Sequence, residues 1–151
     1  MTRFVASHED LGTVRFARSG LWETLHAVRL FADTRGRPYH ESWFRLIRER
    51  AGSLDLAPLL AVNPVRGNVP DFLSPPPRGP APAFAAQLAE VRRTPPGQVA
   101  AELERCVATL GDTAARSRVD AMLADPAGTR DTLAVLLERA WEVLVAPFWP
   151  T

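Results

Sequence analysis

Few side chains in this sequence have the type and spacing that chemistry requires. Three histidines stand at positions 8, 26 and 40, with no His-x-x-x-His spacing for a metal, and each falls on a different expected element. His26 lies inside a long helix beside its apolar stripe, where a lone imidazole is more often structural or superficial than a ligand or base. Cys106 is the single cysteine, which excludes an internal disulfide framework and a cysteine-based zinc site. It sits on an apolar helix face, with no nearby His or basic cluster to activate it, and is expected to act as a small hydrophobe. Glu9 with Asp10, and Glu102 with Glu104, are acidic pairs. Neighbours one or two apart do not face each other on a helix, so both are expected to be solvated surface. No glycine-rich phosphate loop and no nucleophile elbow occurs. The expectation is no catalytic set, no cofactor and no metal, and hence no enzyme.

The remaining chemical feature is aromatic. Phe16, Trp22, Phe31, Tyr39, Trp43 and Phe44 gather early in the chain; Trp141, Phe148 and Trp149 come late. Such rings can wall an apolar pocket for a small molecule. The candidate ligand or partner pocket comprises Trp22, His26, Trp43, Phe72, Trp141, Phe148 and Trp149. The competing use of these rings is to fill the core of a helical bundle, which their helical spacing favours. Phe148 and Trp149 follow a helix break at Pro147, which leaves them available to a partner as much as to a core.

The elements that must position these groups are helical. Residues 3–6 suggest one short strand. Ser7 and Asp10 then form a capping box, and Ser19 caps a helix whose Leu21, Leu25, Val28 and Ala32 make a buried stripe flanked by Trp22. Residues 35–38 (Arg-Gly-Arg-Pro) stop it. A third helix runs from His40 to about Ala51, with Trp43, Leu46 and Ile47 on its apolar face and Gly52 closing it. A short apolar turn of helix spans residues 54–62. Beyond the proline-rich residues 65–82, Phe84, Leu88 and Val91 mark one helix. Thr94 is the expected cap of the next, with buried Val99, Leu103, Cys106 and Leu110. A short piece surrounds Val119, and Asp125-Pro126 starts the most periodic helix, through Leu133, Leu137, Trp141 and Leu144 to Pro147.

A chain of 151 residues is long enough for one domain with a real core. Apolar residues make up 46% and charged residues 23%, which is ordinary globular composition. The net charge of +1 supplies no field to draw the chain to nucleic acid or an anionic membrane. All 18 basic residues are Arg, a pattern compatible with bidentate anion recognition but more simply with a high-GC genome. Neither a signal peptide nor a run of 18 apolar residues occurs, so a cytoplasmic location is expected.

Residues 68–77 read NVPDFLSPPP and place Phe72 and Leu73 where proline forbids helix or strand. A flexible linker would use Gly, Ser and charge. The two apolar residues are therefore expected to be anchors, with Pro70 and Pro75 holding the backbone extended and Asp71 accepting local amides.

The segments RFVASHEDLGTVRFARSGLWETLHAVRL, PDFLSPPP, VRRTPPGQVAAEL and LADPAGTRDTLAVLLERAWEVLVAPFWP, in this order, resemble the N-terminal region of a group of bacterial ArsR-type winged-helix transcriptional regulators. The resemblance covers essentially all residues. It implies a regulatory domain of a DNA-binding protein. Family members continue past the Trp-Pro into a further helix, a linker and a winged helix, whereas this sequence ends at Thr151, as a fragment or a short natural form. No DNA binding is therefore expected from this chain alone.

The expected fold is an all-α single domain, residues 1–151, an irregular bundle of five to seven helices with residues 65–82 as an ordered proline clasp. The leading expected function is a non-catalytic domain for ligand sensing, dimerisation or both in an ArsR-like regulator. The alternative is a stand-alone helical interaction module, and a weaker one a small enzyme with an aromatic pocket. Expected partners are a second copy or a full-length relative, and an apolar small-molecule effector, with no membrane.

Overall fold

The computed structural model describes residues 5, 7–33, 38–65 and 67–149. Among them the chain is all-α, with no strand and eight α-helices: α1 (His8–Thr13), α2 (Gly20–Ala32), α3 (Glu41–Ala51), α4 (Ala57–Val62), α5 (Phe84–Arg93), α6 (Pro96–Thr109), α7 (Thr113–Met122) and α8 (Pro126–Ala140). The count reaches eight because α1 and α4, of six residues each, stand as helices of their own. The strand expected over residues 3–6 and the stop at residues 35–38 fall outside the described residues, except Val5 and the backbone of Pro38.

The helix starts follow from side-chain caps. Ser7 Oγ accepts the Asp10 N–H at 3.2 Å while Asp10 accepts the Ser7 N–H at 2.7 Å, closing the capping box of α1. Ser19 Oγ accepts the Trp22 N–H at 3.1 Å, and Asp125 Oδ1 accepts that of Gly128 at 2.9 Å. Asp112 caps α7 in the same way, at 3.0 Å to Ala114 N, which lengthens the short piece expected near Val119 into a full helix. Thr94 does not cap α6. Its hydroxyl donates back to Glu90 O at 3.4 Å, and α6 begins on Pro95-Pro96, whose missing N–H groups need no cap.

α8 runs through the centre, packed against α4, α5 and α6, while α2 packs across α8, α5 and α4. The buried stripes join in one core: Leu21, Leu25 and Val28 of α2, Leu88 and Val91 of α5, Val99 and Leu103 of α6, and Leu133 and Leu137 of α8. Such a contiguous core is the main favourable term in the folding of a chain this size. α3 is peripheral: it buries Ile47 and Ala51, with Trp43 half-buried on the same line. Leu46, expected on that face, is 65% exposed because it lies a quarter turn off the line. Phe16 and Tyr39 are exposed too, outside any aromatic cluster.

The described residues of the proline-rich segment are fastened at three places. Arg29 Nη2 of α2 donates to Gly67 O at 3.1 Å, and the Phe72 N–H donates to Glu102 Oε2 of α6 at 2.7 Å. Near its end Pro80 O accepts the Arg18 N–H at 2.8 Å. Phe72 and Leu73 enter the core at 2% and 0% exposure, as anchors must. The turn beneath them closes through the main chain, Leu73 N to Pro70 O and Ser74 N to Asp71 O, rather than through the Asp71 carboxylate. Glu102 is buried, not solvated surface, because the clasp supplies its partner.

Candidate functional site

α2 is set at its start from two sides. Gln87 of α5 is buried, accepts the Leu21 N–H at 3.2 Å and donates to Ser19 Oγ at 2.8 Å. Gly20 permits the close approach of the last residues of the bundle: a Cβ there would stand 2.8 Å from a ring carbon of Trp141. With α2 so placed, Glu23, His26, Ala27 and Leu30 share one face, at helical spacings of three, one and three.

The wall opposite that face is made by α3 and the end of α8. After Ala140 the helix widens into one π-helical turn, Trp141–Val145, then tightens into a 3₁₀ turn, Ala146–Phe148. Pro147 has no N–H to continue an α-helical ladder, so the regular helix cannot run on. The Leu144 carbonyl turns to α3 and accepts the Trp43 indole Nε1–H at 2.9 Å. Trp141 lies flat on Phe84, centroids 4.5 Å apart and planes 6° from parallel, and Trp149 meets Trp141 edge-on at 5.3 Å. These are the favoured geometries for aromatic pairs.

Between the walls is a cleft of about 870 Å³. Trp43, Phe148 and Trp149 supply its rings, with Leu30, Val65 and Val145 among its aliphatic lining. Its polar groups are Glu23, His26, Arg29 and His40. An apolar cavity with a few convergent polar groups is the usual form of a small-molecule site. Among the described residues no group of three His, Cys, Asp or Glu comes together to hold a metal.

Of the residues singled out from the sequence, His26, Trp43, Phe148 and Trp149 line this cleft. Trp141 stands behind Trp149 as its support. Trp22 lies outside, against the His26 ring at 4.8 Å, and with Trp149 it lines a smaller cleft of about 460 Å³ next to the clasp. Phe72 belongs to neither, because it is consumed by the core. Trp149 is half-buried, with Trp141 against it edge-on, and Phe148 remains 47% exposed.

Sequence reasoning missed Glu23, Arg29 and His40. Glu23 and Arg29 carried a signal, since each stands three residues from His26. His40 carried none, because only the packing of α3 brings it to α2. Arg29 sits on the ridge between this cleft and a second one of about 630 Å³ that runs along residues 67–71. Its Nε is buried with no acceptor, and burial draws the guanidinium below its ordinary pKa. No carboxylate among the described residues pairs with it. Cys106, on α6, is buried as expected; burial pushes its thiol pKa up, Glu102 adds to the rise and Arg105 opposes it.

Comparison with protein-family models, with curated proteins and with solved structures returns no match for this chain. Among the described residues no helix is long and apolar enough to cross a membrane.

Proposed function

We propose that this chain is a non-catalytic, ligand-sensing domain of an ArsR-like transcriptional regulator. The observation that carries the sensing role is the ring-lined cleft between α2, α3 and the end of α8. Its effector is a small, largely apolar molecule. The regulatory context rests on the resemblance of the four sequence segments. The clasp, joining α2 to α6 beside this cleft, offers a route by which occupancy reaches the rest of the bundle.

The chain alone carries a net charge of +1, so its association with duplex DNA is weak and salt-sensitive. The test has two steps. A thermal-shift screen on this chain finds the compound that stabilises it. A gel shift then uses the full reading frame of the gene and DNA from upstream of it, with and without that compound. A screen without any stabilising compound overturns the sensing role. DNA binding indifferent to the compound overturns the regulatory one.

A second reading, a protein-interaction module, draws on Phe148, which is 47% exposed at the rim of the cleft. Light scattering decides it. A dimer that Phe148→Ser converts to monomer favours this reading, and a monomer at high concentration removes a second copy as the partner.

A further inference from the structure

We propose that the cleft selects a planar apolar monocarboxylate, its carboxylate held by Arg29 and its ring system between Trp43 and Trp149. This deepens, and rests on, the sensing reading above.

The charge at the cleft is what points to an anion. A half-buried guanidinium among apolar walls is normally matched by a carboxylate, since an unpaired charge partly withdrawn from water is costly. Among the described residues Arg29 has no such match: Nη2 donates to the neutral Gly67 carbonyl at 3.1 Å. A guanidinium carries five N–H donors in a fixed fork, so one carboxylate can be accepted while Gly67 is kept. The Nε–H is buried without an acceptor, so the guanidinium is not saturated by the protein itself. His26 and His40 line the same space and add donors. Glu23, the single acid of the lining, is more than one helical turn from Arg29 and on the other side of His26.

The rest of the lining sets the ligand's size and shape. One arginine suits a single negative charge, and the remaining walls are mostly aliphatic and aromatic, which disfavours a phosphate or a sugar. Both tryptophans are braced. Trp43 is fixed by its bond to Leu144 O, and Trp149 by Trp141, itself stacked on Phe84. Rings held in place before the ligand arrives favour a flat partner and lose little entropy on binding.

Three probes of one shape and different charge test this: 1-naphthylacetate, 1-naphthylacetamide and 1-naphthylethylamine, titrated calorimetrically into the whole chain. The acetate is expected to bind about tenfold or more tighter than the amide, as one charge-assisted hydrogen bond is worth. The amine is expected to bind most weakly. Arg29→Gln should bring acetate and amide together, and Trp149→Leu should weaken all three. Circular dichroism checks that both variants fold; should Arg29→Gln not, the charge series on the unaltered chain still decides. Equal binding of acetate and amide, or tightest binding of the amine, overturns the anion assignment while the sensing reading stands. So does binding of none of the three when the screen has found another compound. Only a screen that finds nothing removes both.

Discussion

The main-chain N–H of Phe72 donates to the buried carboxylate of Glu102 at 2.7 Å, across thirty residues of sequence. This bond fastens the clasp to α6 at the point where the Phe72 ring enters the core. Gln98 Nε2 donates to the other carboxylate oxygen at 2.8 Å, so the side chain is held on both sides. Glu102→Ala leaves the Phe72 amide buried without an acceptor and should cost about 1–3 kcal/mol. Urea denaturation measures it, and an unchanged midpoint would show the clasp does not depend on this bond.

Phe72 itself is 2% exposed. Phe72→Ala should lower stability by about 3–5 kcal/mol, the range for truncating a core phenylalanine. Together the two variants should cost less than their sum, since both act on one contact. Strict additivity would mean that the ring and the amide bond are independent.

Much of this was legible from residue types. The stripe Leu21, Leu25, Val28 needs only a helical period, and the anchors Phe72 and Leu73 are legible as apolar residues placed where proline removes regular structure. The capping serines announce their helices because a local hydroxyl serves an amide three residues on. What was hidden is non-local. Glu102 looks like surface until its partner arrives from another segment. His26 and His40 line one cleft only through the way α2, α3 and the end of α8 are placed. The π turn had a partial signal in Pro147, but its consequence, a carbonyl offered to Trp43, depends on where α3 lies.

Gly20 makes possible the contact between α2 and Trp141. A methyl group there would stand 2.8 Å from one ring carbon and 3.1 Å from the next. Trp141 cannot yield freely, being stacked on Phe84 on one side and met by Trp149 on another. Gly20→Ala should therefore destabilise by about 1–3 kcal/mol, although alanine is the better helix former. Thermal denaturation reports this, and a stabilised variant would show that the ring shifts without cost.

The Cys106 thiol is pushed up by burial first and by Glu102 second. Its folded pKa lies above its unfolded value, so the stabilisation from keeping the thiol neutral is fully present below the unfolded pKa. It is lost as pH rises through the folded pKa. Stability should thus fall above about pH 8.5, the ordinary thiol value. Cys106→Ala should fall less over the same range. Urea midpoints for both proteins at about pH 7.5 and about pH 9.5 make the comparison, and parallel declines would remove the thiol as the cause.

Trp43 joins the clearest local departure from regular helix to the candidate site. In an uninterrupted α-helix the Leu144 carbonyl would accept the N–H of Phe148. Here Phe148 lies in a 3₁₀ turn, closed by Trp149 N to Ala146 O at 3.2 Å, and the carbonyl is served by the Trp43 indole at 2.9 Å. Trp43→Phe keeps a smaller ring in the cleft and removes this donor. It should cost about 1 kcal/mol, the net worth of a typical hydrogen bond. It should also free the ring to tilt, weakening any compound that stabilises the native chain by more than the loss of contact area alone. Denaturation gives the first quantity and titration of the stabilising compound the second. Unchanged stability with unchanged affinity would mean that the bond between α3 and the π turn does not shape the cleft.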